Sequence, residues 1–208
     1  MTQRLPPDLQ DIERQLDEAE HDAAALVLGL DDTTGAWHTG PGSWSVAECL
    51  DHLETANNVY LRAMLPAAWR ARAHKWMRKG PAVPGVVGRL FVSWMEPPVK
   101  RLLRSKSPGM IRPRQAPGLA EAYAAFLLSQ DRVRAFVRAQ GDLDLAGVRF
   151  VNPFARGVRF SLATGLHVIT SHERRHLWQA CNVRNRIPGI APRPGRDTAP
   201  GLMSRVAL

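Results

Sequence analysis

Apolar residues recur three or four positions apart through four long stretches of the chain, separated by breaks rich in Pro, Gly and Asp. The first stretch, residues 8–30, carries Leu9, Ile12, Leu16, Ala19, Ala23, Leu26 and Leu30 with acids between them. That is the pattern of an amphipathic helix entered after Pro6-Pro7. Residues 31–42 interrupt it with Asp, Thr, Gly and Pro and read as a loop. The second helix opens at Trp44-Ser45-Val46-Ala47-Glu48. Ser45 and Glu48 there have capping-box spacing: the hydroxyl accepts from the amide three residues on, and the carboxylate returns the favour. This helix runs to Arg72, with Cys49, Leu50, Leu53, Ala56, Tyr60 and Met64 on its core face and His52 at the edge of that face.

Residues 74–118 hold Gly80-Pro81, Pro84-Gly85, Pro97-Pro98, Pro108-Gly109, Pro113 and Pro117. No long helix fits there; a short one over residues 86–95 does. A connection of this length is unusual in a compact domain, and it suits a crossover between two helices of a bundle. Helical period returns over residues 119–140, and Gly141 is placed to cap the end. Residues 142–160 are a link, and residues 161–186 form the fourth helix. No strand pair is evident. The pattern predicts an all-α protein: a four-helix bundle over residues 1–186 with a long crossover between helices 2 and 3, then a Pro/Gly/Arg-rich tail over residues 187–208.

Composition adds bounds. The 208 residues are 45% hydrophobic and 23% charged, ordinary for one globular domain. The start is polar and no apolar run is long enough to span a membrane, so a cytoplasmic location is expected. Two cysteines, Cys49 and Cys181, do not suggest a disulfide framework. The net charge of +9 is unevenly spread: residues 1–60 hold 12 acids and two basic residues, whereas residues 70–114 hold 12 basic residues and one acid, Glu96. No nucleic-acid motif accompanies that charge. It reads as a solvated surface facing the acidic first helix, with no specific nucleic-acid partner.

The chemistry concentrates in His172-Glu173-Arg174-Arg175-His176. Residues four apart share a helix face, so both imidazoles can reach one metal ion. Leu162, Leu166, Ile169, Ala180 and Val183 lie on the same stripe, which turns the pair inward. Read literally, the stretch is the His-Glu-x-x-His of metalloproteases. Yet Leu177-Trp178-Gln179-Ala180 follows where a metzincin has Gly and a third His, and no Glu occurs after Glu173. Any third ligand must come from earlier in the chain.

Two segments carry a resemblance. Trp44-Ser45-Val46-Ala47-Glu48-Cys49-Leu50-Asp51-His52-Leu53 resembles the helix-2 motif of the DinB/YfiT-like superfamily, a Trp-Ser/Thr pair leading to Glu and then His-Leu. His172-Glu173-Arg174-Arg175-His176-Leu177-Trp178-Gln179 resembles its last-helix motif, two His four apart with a Gln three residues on. The resemblance implies a four-helix bundle and a three-histidine site for a divalent transition metal, zinc or nickel, which maps onto His52, His172 and His176. It also implies transferase or isomerase chemistry with a low-molecular-weight thiol on a small-molecule substrate; a homodimer is a further expectation. The alternative is a non-catalytic metal-binding or sensor bundle whose basic surface meets an anionic partner. Leu177-Trp178 departs from the Arg-Gly of many members, so the substrate does not carry over.

Other candidates have plainer readings. Glu173 orients a ligand or pairs with an arginine rather than acting as a base. Cys49 is a small buried hydrophobe rather than a fourth ligand, and His167, off the ligand stripe, is a surface residue. Gln179 contacts substrate, contacts a ligand His or fills a polar gap. Trp44 and Trp178 pack the bundle.

Overall fold

A computed structural model of the chain describes residues 4–98, 109–155 and 157–191. Helix α1, Pro7–Val27, starts after Pro6 and buries Leu9, Ile12, Leu16, Ala19, Ala23 and Leu26. It ends before the predicted Leu30, with Leu28 already 65% exposed. Within the expected loop, Asp31 and Thr34 form a capping box that supports a one-turn helix, α2, Asp32–Gly35. The side chain of Asp32 also accepts the Leu119 backbone N–H at 2.7 Å, satisfying a free donor at the start of another helix.

Helix α3, Val46–Ala73, carries the predicted capping box between Ser45 and Glu48. Helices α4, Val86–Met95, and α5, Leu119–Gln140, match their predicted bounds. Gly141 follows α5, but its φ of -64° is right-handed. The position is close-packed: a Cβ would stand 2.9 Å from Leu9 Cδ1, so a larger residue would displace that side chain. Helix α6, Leu162–Arg184, is capped by Ser161, whose side chain accepts from the Thr164 N–H.

Helix α3 packs on α5 and α6, and α1 closes the other side against the same two helices. Leu9, Ile12, Met64, Val133, Leu166 and Ile169 fill one part of the core. Leu26, Leu50, Leu53, Phe126, Leu177 and Ala180 fill another. The crossover between α3 and α5 lays α4 on α6. Gly88 permits that close approach, since a Cβ there would lie 2.5 Å from Thr164 Oγ1. Among the described residues no helix is long and apolar enough to cross a membrane.

One element departs from the expectation that no strands pair. Strands β1, Arg149–Val151, and β2, Arg159–Ser161, form an antiparallel hairpin with Phe150 opposite Phe160. Both rings are buried, at 2% and 3% exposure. Three-residue strands are too short to display a period of two that stands out from helical spacing.

The acids of α1 pair mainly with α5: Arg134 with Asp17 and Glu20, and Arg138 with Glu13. From the basic stretch Arg78 reaches α1, pairing with Asp8 at 2.6 Å. Lys100, Arg101, Arg104 and Lys106 of that stretch, and residues 192–208 of the predicted tail, lie outside the described residues.

Candidate metal centre

His52 sits on the second turn of α3 with 0% exposure, and His172 and His176 sit one turn apart on α6 at 9% and 7%. Packing α3 against α6 brings the three rings together, with centroids 4.4–4.9 Å apart and edges turned to faces. One nitrogen from each ring lies within 4.8 Å of the other two. His52 Nε2 and His172 Nε2 are 3.2 Å apart. Two nitrogen ligands at 2.0–2.1 Å from one tetrahedral ion stand roughly 3.3 Å apart, so this pair is spaced to share an ion.

Protonation favours the same chemistry. Burial lowers the His52 pKa from 6.5 to about 4, against an opposing contribution from the Ile111 carbonyl. Burial also holds His172 and His176 well below 6.5, helped by their mutual repulsion with His52 and by the Arg175 charge. Three neutral imidazoles present lone pairs, which is what a metal requires. His52 Nδ1–H donates to the Ile111 carbonyl, leaving Nε2 free to face the cluster. His176 Nδ1 is buried with no hydrogen-bond partner among the described residues. The set therefore fits a borderline transition metal, and its lack of carboxylates disfavours Mg and Ca.

A family model for the DinB superfamily matches residues 15–180. The chain belongs to the DinB superfamily. No curated protein and no solved structure matches it significantly. Within this DinB-superfamily chain the three histidines named from the sequence lie in one buried group, and the others lie elsewhere. His74 stacks on Trp76. His167 is not a surface residue as expected: it is partly buried, with its ring 3.3 Å from the Ala82 carbonyl oxygen, because the connection before α4 folds over it. Cys49 is fully buried outside the group, with its thiol pKa pushed up by burial.

Glu173 faces the interior. It has 0% exposure, and its Oε1 accepts from Asn57 Nδ2 at 2.8 Å. Desolvation pushes its pKa up to about 7, against opposing contributions from Asn57, the nearby Gln130 amide and Arg174. It is not among the residues that border the cavity beside the histidines.

That cavity has a volume of about 1060 Å³ and is bordered by His172 and His176. Trp44 borders it too, with its ring 4.6 Å from that of His52 and 5.4 Å from that of His176. Trp44 thus shields the cluster as well as packing the bundle. Gln179 and Trp178 lie on the wall, and Leu177 is turned into the core. Two positions next to the cluster escaped the sequence reading, Ile111 and the residue that secures it, Asp51. Asp51 accepts from the Arg114 backbone N–H at 2.8 Å and from its Nε at 2.6 Å. Its place directly before His52 was the one available signal.

Proposed function

We propose that the chain is a metal-dependent enzyme in which His52, His172 and His176 hold one divalent transition ion, zinc or nickel. Its reaction is the transfer or rearrangement of a small molecule by a low-molecular-weight thiol. The observation that carries this reading is that His172 and His176, two of the three clustered histidines, border a cavity of about 1060 Å³. A sensor or purely structural site needs no such space beside it; a catalytic site keeps a position open to its substrate.

When bound, the metal supplies Lewis acidity that favours thiolate over thiol at neutral pH. The chain's own residues do the rest. Ile111 fixes the His52 tautomer through Nδ1. Trp44 covers two of the three rings and keeps water off that side. Gln179 and Asn182 offer amides on the wall, able to orient a polar substrate group.

Metal analysis of purified protein tests the site. The wild type should carry close to one equivalent of zinc or nickel. Replacing His52, His172 or His176 singly with Ala should cut metal content sharply while the helical circular dichroism persists. His74→Ala and His167→Ala should match the wild type. Full metal content in His52→Ala sinks the three-histidine assignment, and a screen of thiols with electrophiles on the loaded protein then tests the reaction.

A further inference from the structure

The wall of the cavity is unevenly charged. Among the described residues, Arg112, Arg175 and Arg186 line it against a single carboxylate, Glu48. Glu48 is already engaged: it accepts the Ser45 N–H at 2.8 Å and lies 3.5 Å from His38 Nδ1. Other arginines of the chain, among them Arg72, Arg78, Arg114 and Arg174, have carboxylate partners. Arg175 has none among the described residues. Its guanidinium carbon lies 5.7 Å from the centre of the Trp94 ring, and the side chain is half-buried.

A partly desolvated cation with no counter-charge is costly, and an aromatic face offsets only part of that cost. Part of the cavity wall is apolar, formed by Tyr60, Phe91, Trp94, Met95 and Phe154. Such a wall favours a ligand with an apolar body, and the unpaired guanidinium favours one with an anionic end. Arg175 stands next to His176 in the chain and one helical turn from His172. A ligand held by Arg175 therefore reaches the histidine cluster.

We infer that Arg175 is the anion anchor of this cavity, and that the ligand is an organic anion: an apolar or aromatic body ending in a carboxylate or phosphate. The inference rests on reading the cavity as the substrate site, and it adds the charge of that substrate. A planar guanidinium donates two parallel N–H bonds to either group, which an ammonium cannot do. Arg112 and Arg186, exposed at the rim, add attraction over distance.

Calorimetric titration of the full chain, metal-free and zinc-loaded, tests this with three probes: 3-phenylpropionate, phenyl phosphate and the neutral 3-phenylpropanamide. At least one anion should bind about tenfold or more tighter than the amide, the scale of a charge-assisted contact. Which anion wins separates a carboxylate ligand from a phosphate. Arg175→Gln should erase the preference and leave amide affinity unchanged. Arg175→Lys should restore part of it. Arg89→Gln, which removes an exposed charge away from the cavity, should leave it intact. Equal binding of anions and amide by the wild type, an undiminished preference in Arg175→Gln, or no anion binding at millimolar concentration overturns the inference. Metal content, measured on the same samples, reports separately. Metal uptake without anion preference defeats the anchor alone, and anion preference without metal uptake defeats the metalloenzyme reading alone.

Discussion

Burial acts on four neighbouring residues with opposite signs. His52 has its pKa lowered to about 4, and His172 and His176 are lowered too, because desolvation disfavours the charged imidazolium. In metal-free protein the unfolded chain takes up protons below pH 6.5 while the folded chain does not, so stability falls as pH drops from 6.5 towards 4. Glu173, raised from 4.5 to about 7 by the same cause, behaves in reverse. Between those values the folded chain keeps a proton that the unfolded chain releases, so stability falls as pH rises. For His52 or Glu173 alone each effect is about 3 kcal/mol. Glu173→Gln keeps an acceptor for Asn57 and removes the second effect. With chelator present, its unfolding free energy should rise steadily from pH 4.5 to 7, more steeply than in the wild type. Urea melts across that range check the prediction; coincident pH profiles would show that Glu173 does not titrate there.

At the scale of elements, the end of the crossover is clamped to α3. Asp51, 2% exposed, receives both the backbone N–H and the Nε of Arg114. That contact holds the carbonyl of Ile111, three residues earlier, over His52 Nδ1. Partners that orient metal-ligating histidines are commonly worth 10–100-fold in metal affinity. Asp51→Ala should therefore weaken zinc binding by roughly that factor, with helical content retained, and Asp51→Asn should lose less. Competition with a colorimetric chelator measures it; unchanged affinity would mean that packing alone orients His52. What was legible in the sequence follows the same division between near and far. The Ser45–Glu48 cap, the helical periodicity of α4 and α5, and the His172–His176 pair are written in residues three or four apart. The Asp51–Arg114 clamp and the Asp32 cap on α5 join residues 63 and 87 apart. No local spacing announces such contacts. His52 was assigned only through resemblance, since its own position marks nothing more than the edge of a core face. The hairpin and the burial of His167 depend on how connections fold over the bundle.

Across the whole molecule, the histidine cluster joins helices far apart in the chain: His52 and His172 are separated by 120 residues. An ion held by both would link α3 to α6 in the folded state alone, and ligands that bind only the folded state stabilise it by mass action. At a free metal concentration about a thousand times Kd the gain is about 4 kcal/mol. For a domain of this size each kcal/mol moves the melting temperature by about 2–4 °C. Zinc should therefore raise the melting temperature of chelator-stripped protein by roughly 10 °C. His52→Ala should lose most of that rise, because its remaining two histidines lie on α6 alone and no longer tie that helix to α3. Cys49→Ala, which removes a buried thiol outside the cluster, should start from a lower melting temperature yet show the full rise. Differential scanning calorimetry with and without zinc decides it. A rise of the same size in His52→Ala would place the stabilising ion somewhere other than between the two helices.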